Sequence, residues 1–218
     1  MINYDNSTQT EKLEFSRVSL NNARTNPEIS ALLAARGCDT EMLNQGQQLL
    51  INAFNAYNDC SDKKHNRKAI YENLMKKLAA LEALYSGHRQ LARSLFADDP
   101  VTADKLGLLK TLPKKYIDRL GIMKTFYTDA SAANIQEILA RFNITGDDIQ
   151  NALALITEIE NLKALHVNEK GEVQVASKAK RKALKELDKW MRQFFIVAKV
   201  AFREEPQYME ALGKVVKE

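Results

Sequence analysis

The chain has 218 residues, 45% apolar and 28% charged, with a formal net charge of +4 and only eight Gly and four Pro. That is enough apolar material for one large or two small cores, an ordinary charge content for a soluble chain, and few breakers of long regular elements. No run of about 18 apolar residues exists and none backs the polar start MINYDNSTQT, so a membrane span and a signal peptide are not expected, and a cytoplasmic location is.

The elements read as helices in chain order, because apolar residues recur every three or four positions and do not alternate. EKLEFSRVSLNNA, from Glu11, forms the first helix. Asn26 then precedes Pro27, a residue favoured at the first helical position, so a short helix containing Leu32 and Leu33 starts there. Gly37 closes it and Asp39 caps the next, which carries Leu43, Gly46, Leu50, Ala53 and Tyr57 on its inner side. The polar stretch NDCSDKKHN, 58–66, reads as a turn. A long helix over about 67–97 follows, its seam set by Ile70, Leu74, Leu78, Leu81, Tyr85, Ala92 and Leu95. Pro100 stops it, and a short helical turn ends at Gly107.

The same order then recurs. FREEPQYMEALG at 202–213 shares with FADDPVTADKLG at 96–107 its Phe, acidic pair, Pro, Leu and Gly, at an offset of 106. KKYIDRLGIMKTFYTD supplies a first helix and Ile138 and Leu139 a short one; Ile149, Ala152, Leu153, Ile156 and Ile159 mark the third. HVNEKGE, 166–172, reads as the second polar turn, and a long helix over about 174–203 carries Leu184, Leu187, Met191, Phe194, Ala198 and Ala201 up to the stop at Pro206. From 31/137 to 107/213 the offset pairs 13 identical residues in 77, against roughly 6% for unrelated chains of average composition. Punctuation matches too: Gly37 pairs with Asn143, the residue types most tolerant of the left-handed conformation, and Asp39 with Thr145, both N-cap residues. The expectation is an all-α fold of two tandem copies of a roughly 106-residue antiparallel helical-bundle unit, 1–107 and 108–218. The two copies should superpose, and GLLKTLP at 107–113 should hold the boundary.

The order of a helix, N-x-T or G-x-D, a long charged helix with L-D-x-W-M-x-x-F, then P-x-x-x-E-x-L-G resembles a family of uncharacterised bacterial all-helical tandem-repeat proteins. The resemblance covers mainly 114–213, above all LDKWMRQFFIVAKVAFREEPQYMEALG; the first copy departs from it with Ala-Leu-Tyr where the second has Lys-Trp-Met. It implies an all-α fold and brings no activity, so no functional residue is carried over.

Chemistry-bearing motifs are sparse. Cys38 and Cys60 stand 22 apart without Cys or His partners at metal-ligand spacing and read as free thiols. A di-metal bundle site needs E-x-x-H pairs, which the chain lacks; Asp62-x-x-His65 has the spacing but falls in the expected turn. His166 reads as a solvated helix end. His88 lies on the core-facing stripe where the second copy has Phe194, either as a buried ligand or acid/base group or as a half-buried His bonded to a neighbouring carboxylate or backbone oxygen. No catalytic, cofactor-binding or metal residue is assigned, no cofactor is expected, and the chain reads as a non-enzyme.

Charge distinguishes the copies. Residues 1–106 hold 13 basic and 13 acidic side chains and 107–218 hold 19 and 15, so the whole excess of four belongs to the second. Lys178, Arg181, Lys182, Lys185, Lys189 and Arg192 fall within about 100° of one helix face, opposite the Leu184/Leu187/Met191 seam. Such a face suits phosphates or a solvated surface, though Glu186 and Asp188 interrupt it and no aromatic is interleaved for base stacking. Ile196 and Val200 continue its line, and with Phe195 they replace Gln90, Ser94 and Arg89 of the first copy. Phe195, Ile196 and Val200 are therefore expected to be covered, by the first copy or its connector near Leu108 and Leu112, or by a second chain. Two functions lead: a structural or protein-interaction module with a protein partner or a homodimer, and a weak nucleic-acid binder using the basic face; an enzyme with an unrecognised site comes a distant third.

Overall fold

The computed structural model describes residues 7–213; residues 1–6, part of the polar start, lie outside the described residues. Eight helices follow one another among them: α1 (Gln9–Thr25), α2 (Pro27–Ala34), α3 (Thr40–Leu95), α4 (Pro100–Lys105), α5 (Tyr116–Ala130), α6 (Ala133–Ala140), α7 (Gly146–Ala201) and α8 (Tyr208–Ala211). No strand occurs among the described residues, so the fold is all-α.

Helix ends fall where local chemistry puts them. Thr8 and Glu11 form a capping box at α1, each side chain accepting from the other's backbone N–H. The Asn26 side chain accepts from Glu28 and Ile29 at the start of α2, with Pro27 at the first helical position. Gly37 (φ 82°) and Asn143 (φ 61°) adopt the left-handed conformation after α2 and α6, letting Cys38 N–H reach Leu33 O at 3.0 Å and Ile144 N–H reach Leu139 O at 3.2 Å. Asp39 then accepts from Met42 N–H and Thr145 from Asp148 N–H, opening α3 and α7.

The polar stretches 58–66 and 166–172 are not turns: each lies inside an unbroken helix of 56 residues. NDCSDKKHN has neither Gly nor Pro, and the lone Gly171 costs a helix only about 1 kcal/mol. Partner packing offsets that cost. Cys60 is buried with its Sγ 3.4 Å from Ser177 Oγ, and Lys63 reaches Glu172 at 3.3 Å. Likewise Arg67 Nε donates to His166 Nε2 at 3.4 Å, and the Tyr71 and His166 rings lie 5.3 Å apart. His166 is thus mid-helix and partnered, and His65 stands within α3.

Because the long helices are unbroken, compactness does not follow the sequence copies. One compact unit is Met1–His65 with Gly171–Glu218; the other is the single stretch Asn66–Lys170. Each takes helices from both 1–107 and 108–218. In the first, Leu20, Leu33 and Leu50 of α1–α3 pack with Met191, Phe194 and Phe202. There Ser19 Oγ donates to Leu212 O and Asn22 Nδ2 to Ala211 O, tying α1 to α8. In the second, Leu81, Tyr85 and Phe96 pack with Phe126, Leu139 and Ile156.

Trp190 is 8% exposed, stacked on Phe194 at 5.3 Å and lying directly over Gly46, where a β-carbon would overlap the indole. Gly46→Ala should therefore destabilise the chain by about 1–3 kcal/mol. Gly87→Ala, at an open helical position, should stabilise it by up to about 1 kcal/mol. Urea unfolding of the two variants checks the opposite signs.

Candidate functional site

All six cations of the α7 face, Lys178, Arg181, Lys182, Lys185, Lys189 and Arg192, are exposed. Lys182 stands 4.0 Å from Glu186 and Arg192 3.3 Å from Asp188, while Lys178, Lys185 and Lys189 form no ion pair among the described residues. The other lysine of the segment, Lys180, turns inward: it donates to Gln9 Oε1 at 2.9 Å and lies over the Tyr57 ring.

The three apolar residues beyond the cations part company. Phe195 is 6% exposed, its ring 5.5 Å from Phe15 of α1 and 5.3 Å from Phe194. Ile196 and Val200 are 67% and 53% exposed, so cover from the chain itself reaches Phe195 alone. Leu108, expected as a cover, is buried in the core of the other unit. The physical reason is angular: at 100° per residue Phe195 sits 100° round the helix from Ile196, toward the seam.

His88 is half-buried, with Nδ1 3.2 Å from the buried Tyr127 hydroxyl, so its partner is a phenol rather than a carboxylate or a backbone oxygen. Burial holds the imidazole below its usual pKa of 6.5, opposed by the Asp148 charge; burial also raises Tyr127, with Tyr85 and Asp148 adding to it. Well above pH 6.5 His88 is neutral in both states. As pH falls below that, the unfolded chain takes up a proton that the folded chain resists, so stability is lost. His88→Phe, the residue at position 194, should lose less stability than the wild type between pH 7.5 and 5.5, as read from urea midpoints. Equal losses would show that His88 carries none of the pH dependence.

Both cysteines are free and buried, and burial with the nearby Asp39 charge pushes the Cys38 thiol up to about 11, far from reactive thiolate chemistry. No group of three or more His, Cys, Asp or Glu able to hold a metal occurs among the described residues, and no helix among them is long and apolar enough to cross a membrane.

One constellation is not visible in the sequence. In the Asn66–Lys170 unit, Arg89 and Arg93 of α3 and Arg119 of α5 line a cleft of about 530 Å³, with Glu82, Tyr85, Ser86, Leu112 and Met123. Arg119 is committed to Glu82, its Nε at 2.8 Å and a terminal nitrogen at 2.6 Å. Arg89 donates to Leu108 O at 3.2 Å and Lys110 O at 2.5 Å, and Arg93 Nε to Leu108 O at 3.1 Å. Glu82, Ser86, Arg89 and Arg93 share one helix stripe at three- and four-residue spacing, which was legible; that Arg119 joins them depends on how α5 packs.

No protein-family model, curated protein or solved structure matches this chain.

Proposed function

We propose that the protein is a non-catalytic helical interaction module whose outer α7 stripe docks an acidic protein surface. The observation that carries this is the exposure of Ile196 and Val200 directly in line with six exposed cations. Burying an Ile or Val against a partner is worth about 1.5–3 kcal/mol, and the cations select acidic surroundings for that contact. A symmetric homodimer on this stripe sets cation against cation and is disfavoured by the same charges. Nucleic acid is the second reading, favoured by the cations alone, since neither Ile196 nor Val200 gains from a phosphate backbone.

The test titrates the protein with an acidic amphipathic helical peptide and with duplex DNA at low and raised salt. On this reading the peptide binds, and both Ile196→Ser/Val200→Ser and Lys185→Glu/Lys189→Glu weaken it. DNA binding that falls steeply with salt, ignores Ile196 and Val200, and exceeds peptide binding would favour the second reading. Binding of neither would leave the stripe a solvated helix face and overturn both.

We also read the chain as two tandem copies of one helical unit. Supporting this, α2 and α6 begin and end 106 residues apart, as do α3 and α7, and the left-handed residues Gly37 and Asn143, and Gly107 and Gly213, share that offset. The buried positions of the first helices, Leu13, Ser16, Leu20 and Ala23 against Leu120, Met123, Tyr127 and Ala130, sit 107 apart, because Ala130 and Ala133 are separated by one residue fewer than Ala23 and Pro27.

A further inference from the structure

We propose that the arginine cleft of the Asn66–Lys170 unit binds a small phosphate monoester with an apolar body. Three observations converge on that chemistry. First, the charge is unbalanced: Glu82 is spent on Arg119, whereas Arg89 and Arg93 meet only neutral carbonyl oxygens, leaving two positive charges without a counterion among the described residues. A phosphate monoester carries about −1.5 to −2 at neutral pH, a matching charge. Arg93 offers it both terminal nitrogens, which make no hydrogen bond among the described residues, in the planar fork that suits phosphate oxygens.

Second, the cleft floor holds unmet hydrogen-bonding capacity. Tyr85 is 1% exposed, and neither its hydroxyl nor Arg89 Nε finds a partner of good geometry, although the Arg89 guanidinium is near enough to oppose the rise of the Tyr85 pKa caused by burial. Buried polar atoms are seldom left so, because each orphan costs free energy, and an acceptor oxygen seated on the floor satisfies both N–H and O–H. Third, Leu112 and Met123 give the cleft apolar wall, and its volume falls in the range of small-molecule sites. The cleft belongs to one place in the chain. At the offset of 106, Tyr85 and Arg89 match Met191 and Phe195, buried core residues of the other unit.

The experiment follows the arginine side-chain and backbone amide resonances of the full chain while phenyl phosphate, inorganic phosphate and benzoate are added separately. Saturable shifts at Arg89, Arg93 and Ser86 are expected with phenyl phosphate, with weaker binding of the other two because each lacks one half of the complement. Arg93→Gln, at an exposed position, should weaken phenyl phosphate about tenfold or more, as loss of a bidentate charged pair does. Tyr85→Phe should weaken it by a smaller factor, its fold confirmed from the unperturbed resonances of the other unit and of Phe126. Lys185→Glu/Lys189→Glu should leave it unchanged, which separates this site from the α7 stripe. Absence of saturation at millimolar phenyl phosphate, retained affinity in Arg93→Gln, or shifts confined to the α7 cations would each overturn the proposal.

Discussion

Phe194→Ala is expected to cost the protein about 3–5 kcal/mol, the range for truncating a fully buried aromatic side chain. Phe194 is 0% exposed and is the hub of the first unit's aromatic cluster, stacked on Trp190 at 12° and edge-on to Phe195 at 62°. Aromatic pairs add about 0.5–1.5 kcal/mol each beyond area burial, and helix-borne neighbours cannot collapse far into the void. Since domains are stable by only about 5–15 kcal/mol, the loss is a large share of the total. Urea titration followed by Trp190 fluorescence reads it directly: the midpoint should fall sharply and the native emission should move toward that of exposed indole. A loss below about 1 kcal/mol would mean that the cluster does not bear on stability.

The second large effect tests the continuity of α3. Lys64 is exposed and mid-helix, so Lys64→Pro removes no buried side chain yet deletes one helical hydrogen bond and drives the ring against the carbonyl of Cys60, for about 3 kcal/mol or more. Had 58–66 been the polar turn its composition suggests, the same substitution would be nearly neutral, as proline is in loops. Lys64→Ala should be neutral in both cases and serves as the control. Thermal melts of the three proteins distinguish the alternatives without further assumptions.

What could be read in advance was local. Asn26–Pro27, Gly37 and Asn143 mark helix boundaries because caps and left-handed closures depend on two to five neighbouring residues, and the seam from Leu74 to Ala92 is buried as its spacing requires. The turns that composition suggests at 58–66 and 166–172 are absent because polarity alone does not break a helix. In a helix exposed on most of its circumference, Asn, Asp, Ser and Lys need only face water, and one buried residue such as Cys60 suffices to fix the side that packs. From that single difference the compact units rearrange, since an unbroken α3 delivers its first half to one core and its second half to another. The arginine cleft was illegible for a related reason. Arg89 and Arg93 are visible as a stripe, but the pairing of Arg119 with Glu82 and the orphaned Tyr85 hydroxyl belong to tertiary packing, which no spacing rule encodes.

The most direct test of this account is the folding of fragments. Residues 66–170 contain one whole core cluster, from Leu74 to Ile159, whereas 1–107 and 108–218 each carry parts of two. Amide proton spectra and urea unfolding of the isolated 66–170 fragment should show a dispersed, cooperatively folded domain, with 1–107 lacking a cooperative transition as a monomer. Cooperative monomeric folding of 1–107 together with an unfolded 66–170 would contradict the account, placing the compact units on the sequence copies after all.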